Sequence, residues 1–396
     1  MLIYEYKLDG TKTQYARMDE AIRTAQFVRN KSLRLWMDTP GANANDLQVN
    51  CSRLAQNFPF VAQLNSQARQ AAADRAWQAI SRFYTNCRAK APGKKGYPRF
   101  QHNTRSVEYK VTGWKLDPDG RHLTFTDGGG IGRVRLIGTR SIETFPRDRI
   151  KRVRLIRRAD GYYAQFCVES ERQITHVPTG QQVGIDLGLK VFYVDSNSQV
   201  VENPRFLRNG ERKIRKLHRQ VSRKYRPEKR KVKQPQSHNY RKARQKLAKA
   251  YLKVQRQRED FARKTARALV SSHDLIAHEA LQIRNLVRNH RLSKSIHDAA
   301  WARFLLWVGY YARLHRVPLI AVPPQYTTQA CSGCGTLVRK TLSTRTHVCC
   351  YCGMVLDRDE NAACNILALA LATWQELHHL SKTQHRTAGQ AGTGPV

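Results

Sequence analysis

Residues 183–188 read Val-Gly-Ile-Asp-Leu-Gly, a short apolar stretch that carries a single carboxylate, Asp186. The apolar residues here and at 191–194 predict two strands of a buried sheet, with Asp186 and Gly188 between them. An acid on a hydrophobic strand indicates a specific role, because burying an unpaired charge is energetically unfavourable. Taken alone, Asp186 is also compatible with a turn residue or a helix cap, so its meaning depends on other acids in the chain.

Two further acids occupy comparable places later in the sequence. Glu279 ends the apolar run Leu275–Glu279, which predicts a strand, and Asp359 precedes a helix predicted from about 360 to 377. Carboxylates at strand ends and at a helix N-terminus can converge at one sheet edge, where three can hold two Mg²⁺ ions. Such ions activate a water molecule and stabilise the leaving oxygen of a phosphodiester. Two alternatives stay open: Asp357 competes with Asp359 on composition, and Asp359 can be a helix cap.

The cysteines form a second pattern. There are nine, an odd number, and five lie between residues 331 and 352, which indicates a reduced compartment and a metal site. Two CxxC pairs, each followed by glycine, are typical of a zinc ribbon, a closed structural site of four thiolates around Zn²⁺. Cys350 and His347 are alternative ligands, although the CxxC spacing favours the four pair members. The predicted zinc ligands are Cys331, Cys334, Cys349 and Cys352.

The composition indicates a polyanionic partner. The chain has 396 residues, with 70 Lys and Arg against 30 acids, and a net charge of +40. Self-repulsion of this size favours nucleic acid as the partner class. Residues 205–258 hold 22 Lys and Arg and two acids, yet apolar residues recur there, which predicts two basic helices broken near Pro227 and Pro235.

The remaining parts of the chain differ in the spacing at which their apolar residues recur. Residues 12–85 have helical spacing, and the Gly/Pro-rich basic segment 88–100 predicts a loop. Residues 107–170 alternate in short runs separated by turn signals, which predicts an all-β module, a small barrel. A charged leader followed by a long apolar run is not evident, and the apolar stretches are shorter than a membrane span. We therefore expect a cytoplasmic, nucleoid-associated protein of a prokaryote.

In these motifs the chain resembles TnpB (OrfB), a family of transposon-encoded RNA-guided nucleases related to type V CRISPR effectors. The motifs span most of the chain and occur in the order of the family. They are Gly93–Phe100, Gly184–Gly188 with Asp186, His278-Glu279 followed by Leu286, Leu292–Trp301, Thr328–Cys331 and Asp357–Ala363.

The resemblance implies a fold and a site. The fold class is an α/β nuclease domain, RuvC-like and of RNase H-like fold, joined to all-β and all-α modules. Asp186, Glu279 and Asp359 correspond to the catalytic triad that holds Mg²⁺, and the zinc ribbon is inserted in that domain. The implied domains are 1–11 and 93–178 (wedge β-barrel), 12–92 (helical recognition domain), 179–326 and 357–380 (nuclease domain), 327–356 (zinc ribbon) and 381–396 (disordered tail).

The resemblance also implies partners: a guide RNA from the transposon end and double-stranded target DNA, bound by a monomeric protein without a membrane. A basic channel would hold the RNA–DNA heteroduplex by its backbone, while base pairing reads the sequence. The residues expected to contact nucleic acid are Gln67, Lys94, Lys95, Arg208, Arg212, Arg215, Arg219 and Arg223.

The implied activity is RNA-guided, Mg²⁺-dependent cleavage of double-stranded DNA beside a short target-adjacent motif, through a single RuvC-like site. The alternatives are a nuclease-silent RNA-guided repressor, which would share charge and fold, and a DNA transposase, which would join DNA ends. A zinc-ribbon transcription factor explains the cysteines but not the three acids.

Overall fold

The computed structural model describes residues 2–139, 142, 145–170, 174–227, 235–341 and 343–390, with side chains up to residue 376. The chain divides into two compact units, Met1–Glu171 and Arg172–Val396. The wedge module predicted from the sequence ends at 178, seven residues beyond the first unit. Within these seven residues, His176 Nε2 lies 2.7 Å from Asp274 Oδ1 of the second unit, which explains why His176 and its neighbours pack with the second unit.

The first unit contains the predicted helical segment. Thr11 and Asn43 form capping boxes with Gln14 and Asp46, satisfying backbone groups at the start of two helices. Small buried side chains such as Ala68 and Ala72 allow close packing of the helices. The helices are α1 (Lys12–Asp38), α2 (Ala44–Asn57), α3 (Pro59–Ala62) and α4 (Ser66–Arg88).

The β-part of the first unit is one antiparallel sheet of seven strands. Its order is β2-β6-β7-β1-β5-β4-β3, so the first strand of the chain lies in the middle. The end strands β2 and β3 are not paired with each other, so among the described residues the predicted barrel is an open sheet. The strands are β1 (Leu2–Asp9), β2 (Ser106–Tyr109), β3 (Trp114–Leu116), β4 (His122–Phe125), β5 (Gly132–Ile137), β6 (Ile150–Arg158) and β7 (Gly161–Val168).

The second unit is built on a mixed sheet of five strands in the order β10-β9-β8-β11-β12. The strands β8, β11 and β12 run parallel, whereas β9 and β10 are antiparallel to their neighbours. The strands β13 and β14 form a separate hairpin. The strands are β8 (Gln182–Leu187), β9 (Tyr193–Asp195), β10 (Val200–Val201), β11 (Leu275–Glu279), β12 (Leu319–Val322), β13 (Thr346–Val348) and β14 (Val355–Asp357).

Helices cover this sheet, and the two predicted basic helices are present as α5 and α6. The Asp298 carboxylate accepts hydrogen bonds from the first backbone amides of α5 and pairs with Arg258 of α6 at 2.8 Å, which joins both to α8. Residues 228–234 of the basic segment lie outside the described residues. The helices are α5 (Phe206–Lys224), α6 (His238–Ser271), α7 (Ile283–Leu286), α8 (His290–Ala299), α9 (Trp301–His315) and α10 (Arg358–Gln390).

The last helix is longer than the sequence predicts. A disordered tail is expected from 381, but α10 continues to Gln390, and residues 391–396 lie outside the described residues. Residues 371–388 contain neither glycine nor proline, so nothing in them stops a helix. Among the described residues, none of the helices is long and apolar enough to cross a membrane.

Candidate active site

The three predicted acids lie on three adjoining elements of the second unit. Asp186 is the fifth residue of β8, Glu279 is the last residue of β11, and Asp359 is the second residue of α10. The parallel pairing of β8 with β11 aligns Ile185 with His278, so the next residue of each strand is an acid. The sequence prediction that these strand ends bring carboxylates together is thus met for Asp186 and Glu279.

Helix α10 crosses β8 closely enough to bring the third acid to the same place. A Cβ atom on Gly184 would lie under 3.0 Å from the carbonyl oxygen of Ala363, so only glycine allows this approach. Ala362 and Ala363 are fully buried, which leaves a flat helix surface against the strand. The close packing sets Asp359, one turn earlier in α10, beside the end of β8.

The electrostatics of Asp186 reflect this convergence. Burial, followed by the charges of Glu279 and Asp359, raises the pKa of Asp186 to about 8. Burial also raises the pKa of Glu279, while a hydrogen bond from the Thr327 hydroxyl to Glu279 Oε1 opposes this. Carboxylates that share a site in this way repel one another unless a proton or a cation neutralises them.

Asp359 is held by two arginines. Arg358 donates from Nε and Nη2 to Asp359 Oδ1 at 2.9 and 2.7 Å, and Arg345 Nη1 lies 3.6 Å from Asp359 Oδ2. The adjacent Asp357 has a different role: its Oδ1 accepts hydrogen bonds from the backbone amides of Asp359 and Glu360. Asp357 therefore caps α10, and the capping alternative that the sequence left open for Asp359 applies to Asp357.

Two buried asparagines on α10 were not given a role by the sequence analysis. Asn361 Oδ1 accepts a hydrogen bond from the Ser332 backbone amide at 2.9 Å, and its Nδ2 donates to the Ala330 carbonyl at 2.8 Å. Asn365 Nδ2 donates to the carbonyls of Thr327 and Ala330, each at 2.8 Å. The segment that enters the cysteine cluster is thus fixed to the helix that carries Asp359. The sequence does contain a signal for this role, because the side-chain amides of Asn361 and Asn365 are spaced i, i+4 on an apolar face of the helix.

The two CxxC pairs meet as the sequence predicts. Their four sulfur atoms lie within 4.8 Å of one another. Cys331 Sγ is 3.5 Å from Cys352 Sγ, and Cys334 Sγ is 3.6 Å from Cys349 Sγ. These separations suit a tetrahedral cation with metal–sulfur bonds of about 2.3 Å. Hydrogen bonding with Thr336 lowers the pKa of Cys334 to about 6, which favours the thiolate that binds a metal.

The alternative ligands lie outside this cluster. Cys350 is exposed, and neither it nor His347 belongs to the group of four. His347 is fully buried in β13, and both of its ring nitrogens lack a hydrogen-bond partner among the described residues. The glycines after each pair, Gly335 and Gly353, have φ of 76° and 75°, as the predicted knuckle turns require.

The three acids form a looser group than the cysteines. Within the described parts of the chain, the carboxylate oxygens of the three acids do not all lie within 4.8 Å of one another, as the four sulfur atoms do. A wider spacing is compatible with a pair of cations about 4 Å apart, since each carboxylate then need not reach the same ion. Oxygen ligands and mutual repulsion of the acids fit hard divalent cations.

The predicted nucleic-acid contacts fall in both units. Five arginines of α5 are all exposed, and their spacing of three or four residues sets them in one stripe along the helix. In the first unit, Gln67 accepts a hydrogen bond from the Thr112 backbone amide at 3.1 Å, Lys94 is exposed, and Lys95 donates to the Ala91 carbonyl. The stripe is formed by Arg208, Arg212, Arg215, Arg219 and Arg223. Nucleic-acid binding by these eight residues stays a prediction.

Comparison with known proteins gives two family matches in chain order. Residues 165–290 match the OrfB_IS605 model, described as "Probable transposase", and residues 301–366 match the Cas12f1-like TNB domain. A Streptomyces pristinaespiralis protein named "Putative RNA-guided DNA endonuclease" is 33% identical over 204 residues, which are 51% of this chain and 48% of that protein. The chain thus spans about half the length of this relative.

Two further relatives extend the similarity. "Putative RNA-guided DNA endonuclease InsQ" of Escherichia coli K12 is 26% identical over 306 residues, 73% of this chain and 71% of that protein. "TnpB-like protein L79" of Acanthamoeba polyphaga mimivirus is 28% identical over 134 residues, which cover 32% of this chain and 26% of that protein.

Solved structures share the fold. The mini-RNA-guided endonuclease CRISPR-Cas_phi3 matches with a TM-score of 0.56 at 10% identity, over 93% of this chain and 92% of that one. The Cas12f1 chain of an sgRNA–target DNA complex matches with a TM-score of 0.53 at 13% identity, over 89% and 82%. At these identities the likeness concerns the fold alone. Together with the family matches and the named relatives, it confirms that this chain resembles the TnpB (OrfB) proteins.

Proposed function

We propose that this protein is an RNA-guided DNA endonuclease that cleaves double-stranded DNA at the site of Asp186, Glu279 and Asp359. The observation that carries the proposal is the convergence of the three acids: Asp186 and Glu279 end neighbouring parallel strands, and burial together with the charges of Glu279 and Asp359 raises the pKa of Asp186 to about 8. A protein with a net charge of +40 has no need of a repelling acid cluster for solubility. Such a cluster is unfavourable for the empty protein and useful for holding cations.

In this proposal the site belongs to a RuvC-like nuclease domain of RNase H-like fold. Support comes from the sheet order β10-β9-β8-β11-β12, with three parallel strands that carry two of the acids at their ends. The seven-stranded sheet would be the wedge domain, and α1 to α4 the recognition domain. Residues of these two modules, including Gln67, would read the target-adjacent motif.

Two of the three acids, Glu279 and Asp359, have a partner that fixes their orientation. Thr327 donates to one oxygen of Glu279 and leaves the other for a cation. Arg358 holds Asp359 Oδ1, so that Oδ2 is the oxygen turned toward Arg345. Bound Mg²⁺ would supply activation of a water molecule and stabilisation of the leaving 3′ oxygen. The protein's contribution is to keep three carboxylates in place, and bound cations would favour the ionised form of Asp186, whose pKa in their absence is about 8.

The cysteine cluster would hold a structural Zn²⁺. Four thiolates leave no open position, so the ion would contribute folding energy rather than chemistry. Because Asn361 and Asn365 tie the entry of this cluster to α10, the ribbon would also help to position Asp359. The partners would be a guide RNA from the transposon end and double-stranded target DNA, bound by one protein chain.

A transposase or a nuclease-silent repressor would use the same fold and charge, so an experiment must separate the three. The protein is expressed with its native flanking DNA, and the RNA that co-purifies is sequenced. One discrete RNA with a constant scaffold and a variable 3′ segment supports guided recognition. A heterogeneous mixture, or joining of DNA ends without RNA, contradicts it.

Cleavage is then measured on a plasmid that carries the sequence complementary to the 3′ segment. We expect cutting in Mg²⁺ by the wild type and by Glu202→Ala, an exposed acid of the same unit outside the cluster. Asp186→Ala should bind the target without cutting it. A wild type that occupies its target and never nicks it would support the repressor instead.

A further inference from the structure

A crevice in the first unit contains two arginines that no carboxylate of the described residues pairs with directly. It lies where α1 and α4 meet β2, and it encloses about 10 Å³, room for one water-sized group. Arg29 from α1 is 7% exposed, and Arg75 from α4 faces the same space. The other lining side chains are small or neutral apart from Glu108: Ala25, Gln26, Ala68, Ala72, Thr104, Ser106 and Val107.

The bonds of the two arginines leave their charge uncompensated. Arg29 Nη1 donates to the carbonyl of Arg99 and to Asn30 Oδ1, both at 3.3 Å. Arg75 donates to the carbonyl and the hydroxyl of Ser106, both at 3.2 Å. All these acceptors are neutral. Within the described part of the chain, Arg29 and Arg75 have no ion-pair partner.

Glu108 does not neutralise them, because its oxygens are already used. Arg152 donates to Oε1 at 2.9 Å, and Arg154 donates to Oε2 at 2.9 Å. Burial and the charge of Arg75 lower the pKa of Arg29. Burial also lowers the pKa of Arg75, and the charge of Glu108 offsets only part of that effect. Arginine stays protonated even so, and the repulsion between the two guanidinium groups is therefore retained.

The crevice is held in shape by the segment that covers it. The Asn30 side chain donates to the Gln101 carbonyl at 2.8 Å and accepts from the Gln101 amide at 2.9 Å. Gln26 Oε1 accepts a hydrogen bond from the Thr104 amide at 2.8 Å. Residues 99–104 are thus fixed along α1, and the two guanidinium groups stay in place without an anion.

From this arrangement we infer that the Arg29–Arg75 crevice is a binding site for one phosphodiester group of a nucleic-acid backbone. Guanidinium groups match phosphate oxygens in charge and geometry. The small enclosed volume admits a single oxygen and excludes a base or a sugar, so the contact would be independent of sequence and would position the strand. The inference rests on the proposed function for the source of the phosphate, but it concerns binding and not cleavage.

The test measures nucleic-acid affinity against salt for full-length Arg29→Gln and Arg75→Gln. The probes are an RNA–DNA heteroduplex, a single-stranded RNA and a DNA duplex, all of arbitrary sequence, and inorganic phosphate. Each substitution should weaken binding of one probe roughly tenfold at low salt and reduce the slope of log affinity against log salt by about one. Arg53→Gln, an exposed arginine of α2, is the matched control and should leave the slope unchanged.

Thermal unfolding of the free protein separates this role from a structural one. Because Arg29 is repelled by Arg75, Arg29→Gln should not lower the unfolding temperature, whereas a purely structural arginine would. Arg29→Lys, which keeps the charge, should retain the salt slope if the glutamine variant fails to fold. Unchanged affinity and slope for both glutamine variants overturn the inference. Tight, Arg29-dependent binding of inorganic phosphate with unchanged nucleic-acid binding overturns it in favour of a free-anion site. Weakened binding and a reduced salt slope in both glutamine variants, with a wild type that never cleaves its target, would count against the proposed function alone.

Discussion

Gly184 of β8 and Ala363 of α10 lie so close together that a Cβ atom on Gly184 would overlap the Ala363 carbonyl oxygen. This contact is backbone against backbone, so no side-chain rotation can relieve it. Asp186 lies two residues after Gly184, and Asp359 lies one helical turn before Ala363. The contact therefore fixes the separation of two of the three acids.

Gly184→Ala should force α10 away from β8 and abolish cleavage together with a loss of stability. Overpacking of a well-packed core costs about 1–3 kcal/mol. The control is Gly210→Ala in α5, where the nearest atom to a new Cβ is 3.8 Å away and alanine favours the helix. We would measure the free energy of unfolding by denaturant and the rate of target cleavage. Equal cleavage by both variants would show that the contact does not set the site.

Asp357 and Asp359 offer a second test, because they stand two residues apart and have different partners. Asp357→Ala removes the cap of α10 and should cost about 1 kcal/mol while leaving most of the cleavage. Asp359→Ala should abolish cleavage with a smaller effect on stability, since Arg358 keeps its hydrogen bond to the Thr344 carbonyl and Asp357 still caps the backbone of α10. The measurements are thermal unfolding and cleavage in Mg²⁺. The reverse result would move the metal-binding role to Asp357.

The places of the three acids and the grouping of the four cysteines were predictable because their signals are local. A carboxylate at the end of an apolar strand, or a CxxC pair followed by glycine, can be recognised within a few residues of sequence. The structure brings Asp186 and Glu279 to neighbouring strand ends because parallel strands finish at the same sheet edge. Local pattern and tertiary packing agree here, and the sequence alone was sufficient.

The residues that hold the acids in place were not predictable in this way. Thr327 lies 48 positions from Glu279, and nothing in its neighbourhood indicates the hydrogen bond between them. Arg358 is next to Asp359, but whether a neighbouring arginine points toward or away from an acid depends on the fold. The predicted barrel failed for a similar reason, because alternation indicates strands but not whether the outermost two pair.

The cysteine cluster gives a prediction on metal content. The wild type should contain one zinc ion for each chain, and Cys352→Ser should lose it, because Cys352 Sγ belongs to the group of four. Cys350→Ser is the matched control: this exposed neighbour lies outside the group and should keep the ion. The measurement is elemental analysis of purified protein, together with thermal unfolding with and without a chelator. Retention of zinc in Cys352→Ser and its loss in Cys350→Ser would assign the fourth ligand to Cys350.

The raised pKa of Asp186 makes stability depend on pH in a definite direction. With its folded pKa near 8 and its ordinary value of 3.8, the folded protein binds an extra proton between these limits. Folding stability should therefore fall as pH rises from about 4 to 8, by at most about 1.4 kcal/mol per pH unit, and level off above. Asp186→Asn removes this group. Its unfolding temperature should exceed that of the wild type, by a margin that grows between pH 5 and pH 8.

Magnesium should stabilise the folded protein through Asp186, whereas ionisation of Asp186 without a cation destabilises it. Because the cation binds the ionised carboxylates of the folded state, Mg²⁺ should raise the unfolding temperature of the wild type at pH 8 and have less effect on Asp186→Asn. Glu202→Gln, an exposed acid of the same unit, should follow the wild type in both experiments. If the unfolding temperatures of the wild type and Asp186→Asn differ by the same amount at pH 5 and at pH 8, Asp186 is not buried against its neighbours. If Mg²⁺ raises both temperatures equally, Asp186 is not a cation ligand.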